Sequence, residues 1–274
     1  MRTIAGGITK DTTLCISLSG RPGNTGTRFH NFLYDALGLD YVYKAFTTPD
    51  IAAAVAGIRG LGIRGAGISM PFKEAVIPLV DELEPSARAI DSVNTIVNTD
   101  GHLVAYNTDY LAIASLLASY AVPTDGEVAV LGSGGMAKAT VAALRDHGYG
   151  GVVVARNAEA GPALAAAYGF DWTPSLADRR PATVINCTPV GMEGGPEAGS
   201  LPVDLAVVDA AAVLFDVVPR PARTPLVRAG EERGKVTITG AEVMSLQALE
   251  QFVLYTGIRP DPDLVAEATA YSRA

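Results

Sequence analysis

Short apolar runs alternate with amphipathic stretches along this chain, and the two patterns predict strands and helices in turn. The apolar runs are rich in β-branched residues, as buried strands are, while the longer stretches have the 3.6-residue period of helices. The predicted strands cover residues 13–18, 41–46, 63–68, 93–97, 128–131, 152–155, 183–186, 213–217 and 236–238. The predicted helices cover residues 29–37, 50–58, 110–119, 138–147, 242–255 and 263–272, with a short one after Pro71. This alternation predicts an α/β fold with parallel sheets.

A turn cluster, Pro123-Thr124-Asp125-Gly126, interrupts the pattern near the middle of the chain. Proline presets a turn conformation and glycine tolerates one that other residues avoid, so the cluster marks a linker. We expect two domains with a catalytic cleft between them.

Composition narrows the class of protein. The net charge of −8 disfavours nucleic-acid binding, which needs a basic face. No apolar stretch approaches the ~20 residues of a membrane span, and Met1–Gly7 lacks the apolar core of a signal peptide. Cys15 and Cys187 lie in apolar, strand-like sequence and are expected to be reduced and buried, while the three histidines do not cluster as metal ligands would. We expect a cytoplasmic enzyme, monomeric or homodimeric, that acts on a small molecule without metal, membrane or nucleic acid.

A glycine-rich loop, Gly132-Ser133-Gly134-Gly135-Met136-Ala137, lies between a predicted strand and a predicted helix. This order is the sequence form of a dinucleotide-binding crossover. The first glycine permits a tight turn, the second lets a pyrophosphate approach the backbone, and free N–H groups at the helix start face the anion. The loop alone would also suit a glycine-rich turn in another α/β protein.

The next strand ends in Ala155-Arg156-Asn157, with no acidic residue before Glu159. An NAD-binding protein usually has Asp or Glu here to accept a hydrogen bond from the ribose 2′-hydroxyl. Arg156 can instead form charge-assisted bonds with a 2′-phosphate, although a lone arginine at a strand end is often simply solvated. Together with the glycine loop, Arg156 favours NADP over NAD.

Two ionisable residues could carry proton transfer. Lys73 follows Pro71 and is predicted in the first turn of a helix, where the helix dipole would favour its neutral, proton-accepting form. A solvated surface lysine is the alternative. Asp109 could pair with Lys73, although the segment Asn107-Thr108-Asp109 also suits a helix N-cap.

Two amides are further candidates. Asn94 could bind a substrate or simply occupy a turn, and Gln247 lies in a mostly apolar helix, where a buried amide needs partners.

Several short motifs occur in a characteristic order along nearly the whole chain. They are Ser69-x-Pro71-Phe72-Lys73, Val93-Asn94-Thr95, Asn107-Thr108-Asp109, the glycine loop, Asn186-x-Thr188-Pro189-x-Gly191-Met192 and Gly240 with Gln247. In this order they resemble the shikimate dehydrogenase family. The closest likeness is to a divergent shikimate dehydrogenase-like subgroup, through Ser19-Gly20-Arg21-Pro22 and Thr27-x-Phe29-His30-Asn31.

The resemblance implies a two-domain α/β fold. An N-terminal substrate domain would cover residues 1–109 and be completed by the C-terminal helices at 241–274. A Rossmann-type NADP-binding domain would cover residues 110–240.

The resemblance also implies roles for individual residues. Lys73 would exchange a proton with the hydroxyl that becomes a carbonyl, and Asp109 would pair with that lysine and touch substrate hydroxyls. Asn94, Gln247 and Ser69 would hold the hydroxylated ring, with Ser69 in place of the family's threonine. The implied cofactor-binding residues are Gly132, Ser133, Gly134, Gly135, Met136, Arg156 on the adenosine 2′-phosphate and Gly240 beside the nicotinamide.

The carboxylate-binding segment departs from the family, which usually has Ser-x-Ser before its His-Asn pair. An alignment on His30-Asn31 places Asn24 and Gly26 at those positions, and Asn24 and Thr27 are the candidates for binding the carboxylate. The family's substrate-binding tyrosine is also replaced, within Val217-Val218-Pro219-Arg220.

These features imply an NADP-dependent enzyme that interconverts shikimate and 3-dehydroshikimate, with Lys73 and Asp109 as its proton-transfer pair. The altered carboxylate segment keeps open a dehydrogenase of quinate or another cyclic polyhydroxy acid. A third possibility is a metabolite-binding paralogue with little turnover. The retained Lys73 and Asp109 argue against it, because a sensor need not keep a proton-transfer pair.

Overall fold

The chain forms two compact units in the computed structural model, which describes residues 7–273. The first unit contains the chain up to Thr108 and again from Ser245 onward, and the second is Asp109–Met244. The expectation about a signal peptide concerns Met1–Gly7, of which all but Gly7 lie outside the described residues. The assignment of residues 1–109 and 241–274 to the substrate, and of 110–240 to the cofactor, stays a prediction.

Strands and helices alternate, as the sequence pattern predicts. The strands are β1 (Thr13–Leu18), β2 (Tyr41–Phe46), β3 (Gly65–Ile68), β4 (Glu82–Leu83), β5 (Thr95–Thr99), β6 (His102–Tyr106), β7 (Val128–Leu131), β8 (Gly151–Val154), β9 (Asp171–Thr173), β10 (Thr183–Asn186), β11 (Val213–Asp216) and β12 (Val236–Thr239). The helices are α1 (Thr25–Ala36), α2 (Ile51–Gly60), α3 (Pro85–Arg88), α4 (Thr108–Ser119), α5 (Gly135–Asp146), α6 (Ala160–Tyr168), α7 (Leu205–Ala210), α8 (Pro225–Glu231), α9 (Gly240–Thr256) and α10 (Pro262–Arg273). The α/β prediction is confirmed.

The first unit contains a mixed six-stranded sheet in the order β2-β1-β3-β5-β6-β4. Strand β1 runs parallel to β2 and β3, but β5 runs antiparallel to β3 and β6. The prediction of parallel sheets throughout is therefore wrong for this unit.

A tight turn at Asp100-Gly101 accounts for the antiparallel pair. Thr99 pairs with His102 across it, and the two central residues have φ angles of 51° and 88°. Positive φ at both positions is the geometry of a type I′ hairpin turn, for which Asp-Gly is a preferred sequence. Strand β6, absent from the predicted elements, follows directly from this turn.

Apolar side chains cover both faces of the first sheet. One cluster includes Ile16, Ile68 and Ile96, and the other packs α1 and α9 against Cys15, Tyr43 and nearby residues. At the sheet edge, Asn31 of α1 binds the backbone of Tyr43 in β2 twice: its Nδ2 donates to the carbonyl at 2.9 Å, and its Oδ1 accepts from the N–H at 2.8 Å. The side-chain amide thus pairs the outward backbone groups of an edge strand, as a neighbouring strand would.

The second unit contains a parallel six-stranded sheet in the order β12-β11-β10-β7-β8-β9. Counted from β7, this is the doubly wound order of dinucleotide-binding domains. Strands β7 and β10, which lie side by side, are where the order reverses, and ligands bind such sheets outside the carboxyl ends of the strands at this point. The Rossmann-type prediction is confirmed.

The cysteines, the possibility of a membrane span and the possibility of a metal site were also considered in the sequence, and the structure bears on each. Cys15 is buried as predicted, whereas Cys187 is half-buried, and neither forms a disulfide. Between residues 7 and 273, no helix is long and apolar enough to cross a membrane. Within the same range, no group of three or more His, Cys, Asp or Glu side chains could hold a metal ion.

Candidate active site

Three of the predicted substrate-site residues come together in the first unit, where β3 ends and β5 begins. Ser69 directly follows β3, and the N–H of Ile68 donates to the carbonyl of Asn94 at 2.7 Å. The N–H of Val93 donates to the carbonyl of Lys73 at 3.0 Å. Backbone hydrogen bonds therefore bring the segments that carry Ser69, Lys73 and Asn94 side by side.

The structure corrects the local conformation predicted for Lys73. No α-helix begins at Pro71: residues 73–76 form turns, and a short 3₁₀ helix follows at Ile77–Leu79. The helix-dipole argument for a neutral Lys73 therefore does not apply. The residue is half-buried, and the N–H of Phe72 donates to the carbonyl of Ser69 at 2.9 Å, which fixes the turn before it.

The side-chain amide of Asn94 is fully buried and strongly oriented. Its Oδ1 accepts from the Thr108 N–H at 2.8 Å, from the Thr108 hydroxyl at 3.1 Å and from the Thr95 hydroxyl at 2.9 Å. Its Nδ2 has no hydrogen-bond partner in the described part of the chain. Leaving a buried donor unpaired costs about 1–3 kcal/mol, so an unpaired group of this kind requires an explanation.

Asp109 is buried and lies in the first turn of α4, which begins at Thr108 rather than at residue 110. Thr108 and Asp109 therefore belong to the helix instead of preceding it, and the alternative that Asp109 is the N-cap of this helix is wrong. A carboxylate in the first turn is favoured by the helix dipole. Its pairing with Lys73 stays a prediction.

Helix α9 carries the predicted Gln247 and a second glutamine one turn later. Gln247 is half-buried, and its contact with substrate stays a prediction. Gln251 donates from Nε2 to the carbonyl of Asn94 at 3.2 Å and to the hydroxyl of Thr95 at 3.0 Å. Sequence reasoning missed Gln251, although its spacing of four residues from Gln247 places both on one side of a helix.

The two candidates for carboxylate binding lie at the start of α1, which begins at Thr25 rather than at residue 29. Asn24 is exposed at the N-cap position, and its side chain makes no capping bond. The hydroxyl of Thr27, in the first turn, is buried without a partner among the described residues. Their contact with a carboxylate stays a prediction.

His30, the next buried polar residue of α1, has a different environment. Its ring stacks on Tyr43 with 4.3 Å between centroids, and other aromatic rings surround it. Burial lowers the pKa of His30 to about 3, an effect that the neighbouring Gln251 amide partly opposes. The ring is therefore neutral near pH 7 and belongs to the core.

The second unit contains a cavity of about 1030 Å³ at the reversal point of its sheet. Gly132, Ser133 and Gly134 line one side, and Arg156 lies where β8 ends. Four of the predicted cofactor-binding residues thus face one space. The other three, Gly135, Met136 and Gly240, are not among its lining residues.

The glycine loop has the shape that a pyrophosphate requires. Gly132 has a φ of +106°, and a Cβ there would lie 3.2 Å from the carbonyl of Cys187. A Cβ at Gly134 or Gly135 would meet nothing within 4 Å, so the space beside the backbone is open. No side chain caps α5 at Gly134, which leaves the first N–H groups of the helix to bind an anion. The loop therefore fits a dinucleotide.

Arg156 is exposed at the cavity, and Asn157 beside it has a structural role. The Oδ1 of Asn157 accepts from the N–H groups of Glu159 at 3.0 Å and Ala160 at 2.9 Å. Asn157 therefore stabilises the start of α6.

A buried carboxylate that the sequence did not single out joins two strand ends. Asp216 Oδ1 accepts from Asn186 Nδ2 and from the N–H of Val218, both at 3.0 Å, and Oδ2 accepts from the Thr224 hydroxyl at 2.6 Å. Burial raises the pKa of Asp216 to about 6, although the three donors oppose this. Asn186 in turn accepts from the hydroxyl of Thr188, which lines the cavity, at 2.6 Å. The motif that begins at Asn186 is therefore held in place by Asp216.

Gly240 is buried at the first position of α9. A Cβ there would clash with the carbonyl oxygen of Val218, so only glycine fits. Close packing explains this glycine, and its predicted place beside a nicotinamide stays a prediction.

Comparison with known proteins places the chain in a family. A family model for the shikimate dehydrogenase substrate binding domain matches residues 25–96. The shikimate dehydrogenase-like protein of Haemophilus influenzae is 54% identical over 97% of this chain and 98% of its own length. The shikimate dehydrogenase (NADP(+)) of Chlorobium phaeobacteroides is 35% identical over 83% of this chain and 85% of its own. The chain belongs to the shikimate dehydrogenase family.

Solved structures of the family share its fold. A shikimate 5-dehydrogenase-like protein has a TM-score of 0.97 at 53% identity, covering 97% of this chain and all of its own (100%). The Thermus thermophilus shikimate 5-dehydrogenase, solved with NADP(H) and shikimate, has a TM-score of 0.84 at 28% identity, over 95% and 99% of the two chains. A quinate dehydrogenase from Corynebacterium glutamicum, solved with NAD, reaches 0.85 at 25% identity, over 95% and 98%. The similar structures therefore include one solved with NADP(H) and shikimate and one, a quinate dehydrogenase, solved with NAD.

Proposed function

We propose that this protein is an NADP-dependent dehydrogenase that interconverts shikimate and 3-dehydroshikimate. The observation that carries the proposal is the cavity at the reversal point of the Rossmann-type sheet, because the glycine loop and Arg156 line it together. A strand-end arginine in place of an acid suits a 2′-phosphate better than a 2′-hydroxyl. Relatives named for NADP(+) support the same cofactor.

In this proposal the cofactor would lie against the glycine loop. The N–H groups at the start of α5 would bind its pyrophosphate, and Arg156 would pair with its 2′-phosphate. When bound, NADP supplies the hydride acceptor or donor. The protein contributes binding and alignment of the two reactants.

Oxidation of a ring hydroxyl removes a hydride from carbon and a proton from oxygen. Lys73, as the free amine, would take that proton and become an ammonium ion. Asp109 would orient Lys73 and stabilise the charged form. In the reverse direction Lys73 would return the proton to the new hydroxyl oxygen.

Substrate binding would use the polar groups of the first unit. The unpaired Nδ2 of Asn94 is a donor that a ring hydroxyl could satisfy, which would remove the cost of leaving it buried alone. Ser69 and Gln247 would hold further ring hydroxyls, and Asn24 and Thr27 would bind the carboxylate.

A second candidate is a dehydrogenase of quinate or another cyclic polyhydroxy acid. The exposed Asn24 at the start of α1 favours it, because an amide in place of a hydroxyl changes the size and the hydrogen bonding of the carboxylate site. The quinate dehydrogenase among the similar structures supports this range of substrates.

Steady-state kinetics on shikimate, quinate and amino-substituted analogues, each with NADP and with NAD, tests the proposal. We expect the highest kcat/KM for shikimate with NADP. A higher value for quinate would establish the second candidate. Cofactor binding without turnover on any of these acids would refute both and point to a metabolite-binding paralogue.

A further inference from the structure

The amide of Gln251 has only one orientation that fits its surroundings. Its Nε2 lies 3.2 Å from the carbonyl oxygen of Asn94, and a carbonyl oxygen can only accept. The opposite orientation would place Oε1 against that oxygen, with two acceptors and no hydrogen between them. The same Nε2 lies 3.0 Å from the hydroxyl oxygen of Thr95. Gln251 is therefore the donor to both groups.

This orientation determines the direction of the next hydrogen bond. Because the Thr95 oxygen accepts from Gln251, its own hydrogen is available to donate, and Asn94 Oδ1 lies 2.9 Å away. Thr108 supplies two more donors to the same Oδ1. With Oδ1 surrounded by donors, the Asn94 amide cannot flip, and its Nδ2 must point to the other side.

The sheet leaves room for this arrangement. A Cβ at residue 67 would lie 3.5 Å from the Nε2 of Gln251 and 2.9 Å from the hydroxyl of Tyr43. Gly67 of β3 therefore leaves room for the Tyr43 hydroxyl, and the Gln251 amide beside it is within ordinary van der Waals contact.

We propose that Gln251 is a positioning residue that, through Thr95, holds the Asn94 amide with its NH₂ directed at a ring hydroxyl of the substrate. The proposal rests on the proposed function, in which Asn94 binds that hydroxyl. Gln251 itself touches Asn94 and Thr95, neighbours the neutral ring of His30, and has no part in proton or hydride transfer.

Two substitutions of Gln251 distinguish the effect of its hydrogen-bond donor from the effect of its packing. Q251M keeps the length of the side chain and removes the donor. Q251E keeps the shape but places acceptors near the Asn94 carbonyl, so the Thr95 hydroxyl turns toward residue 251 and Asn94 Oδ1 loses a donor. The matched control is E250Q on the same helix, since Glu250 pairs with Arg259 on the surface.

We expect the KM for shikimate to rise by up to about tenfold in Q251M and further in Q251E, because the hydrogen bond from a misaligned Asn94 to the substrate is weakened or lost. The kcat should stay within about threefold, and the KM for NADP should not change, since the lost interaction serves the bound and the reacting substrate alike. E250Q should match the wild type in all three parameters.

Substitutions of Thr95 test whether Gln251 acts on Asn94 through the Thr95 hydroxyl. T95S keeps the hydroxyl and should preserve the KM, whereas T95V should raise it as Q251M does. The double variant Q251M/T95V should be no worse than either single variant, because both remove the same connection to Asn94. Additive effects would contradict the proposal.

A measurement without turnover separates this proposal from the proposed function. The side-chain NH₂ signals of Asn94 are assigned in ¹⁵N NMR spectra from their loss in N94D. In ligand-free Q251M they should shift, and in the wild type they should shift when shikimate is added. Wild-type protein that neither binds nor oxidises shikimate would refute the proposed function. Unchanged Asn94 signals in Q251M, or a KM for shikimate within twofold of the wild type, would refute the positioning role.

Discussion

Asp216 accepts a hydrogen bond from Thr224 at 2.6 Å, and the same threonine hydroxyl accepts from the N–H of Val227 at 3.2 Å. Thr224 is the N-cap of α8, so one hydroxyl joins a buried carboxylate to the start of a helix. Asp216 also bonds Asn186 and Val218, and it therefore holds together the ends of β10 and β11 and the start of α8. These segments frame the carboxyl edge of the Rossmann-type sheet.

The buried state of Asp216 makes the stability of the fold depend on pH. Its folded-state pKa of about 6 lies above the ordinary value of 3.8, so between these values the folded protein holds a proton that the unfolded chain has lost. The contribution of Asp216 to the free energy of unfolding therefore falls as the pH rises from about 4 to about 6, by roughly 3 kcal/mol in total.

Urea unfolding at pH 4, 5, 6 and 7 checks this expectation by comparing the wild type with D216N. The amide that D216N introduces cannot ionise, so the stability difference, wild type minus variant, should decrease across that range and stay constant above it. A difference that does not change with pH would show that Asp216 does not titrate in this window.

Removal of the proposed proton acceptor should abolish turnover before it affects cofactor binding. K73A is expected to lower kcat by at least about 100-fold, within the usual range for a general base, with little change in the KM for NADP. D109N should lower kcat as well, because it removes the charge of the carboxylate that is proposed to pair with Lys73. K73R keeps the positive charge but cannot accept a proton near pH 7, and it should be as inactive as K73A. A K73A variant with near-normal kcat would refute this role.

The choice between NADP and NAD should depend on Arg156. R156Q removes the charge that would pair with the 2′-phosphate, and charge-assisted hydrogen bonds contribute about 1.5–3 kcal/mol. We expect the KM for NADP to rise between roughly 10-fold and 100-fold, with the KM for NAD unchanged. R88Q, at an exposed arginine of the first unit, serves as the matched loss of charge. Equal changes for both cofactors in R156Q would exclude a specific contact with the phosphate.

The pairing of Asn31 with the edge strand predicts a loss of stability with no change in specificity. N31A leaves the N–H and the carbonyl of Tyr43 without their side-chain partner, which should lower the free energy of unfolding by about 2 kcal/mol. N31D keeps the acceptor for the N–H but places a carboxylate oxygen against the Tyr43 carbonyl, so it should lose at least as much as N31A. Urea unfolding curves measure both effects, and stability equal to the wild type in N31A would mean that water replaces the amide at this edge.

Local features of the chain were predictable because they depend on neighbouring residues alone. The bounds of β1, β2, β7 and β10 match the predicted strands, since short runs rich in apolar and β-branched residues are typical of strands that pack against a core. The glycine loop between β7 and α5 was also predictable. The tight turn, the close approach of a pyrophosphate to the backbone and the start of the helix each require particular residues at particular positions. The Asp-Gly turn carries a comparable signal for the β5–β6 hairpin.

Features that depend on hydrogen-bond direction were decided only by the tertiary structure. The sequence pointed to Asn94, but which way its amide faces depends on Thr108 and on Gln251, which is 157 residues away. Lys73 lies in a turn, where its carbonyl accepts a hydrogen bond from the N–H of Val93. The local sequence suggested a helix because Val93 is 20 residues away and does not belong to that local pattern. In the sequence, nothing distinguishes Asp216 from other acidic residues at strand ends. Its burial among three hydrogen-bond donors follows only from the fold. The spacing of apolar residues along the chain indicates which side chains are buried. The orientation and the charge of a buried polar group depend instead on hydrogen-bond partners that are far away in sequence and come close only in the folded chain.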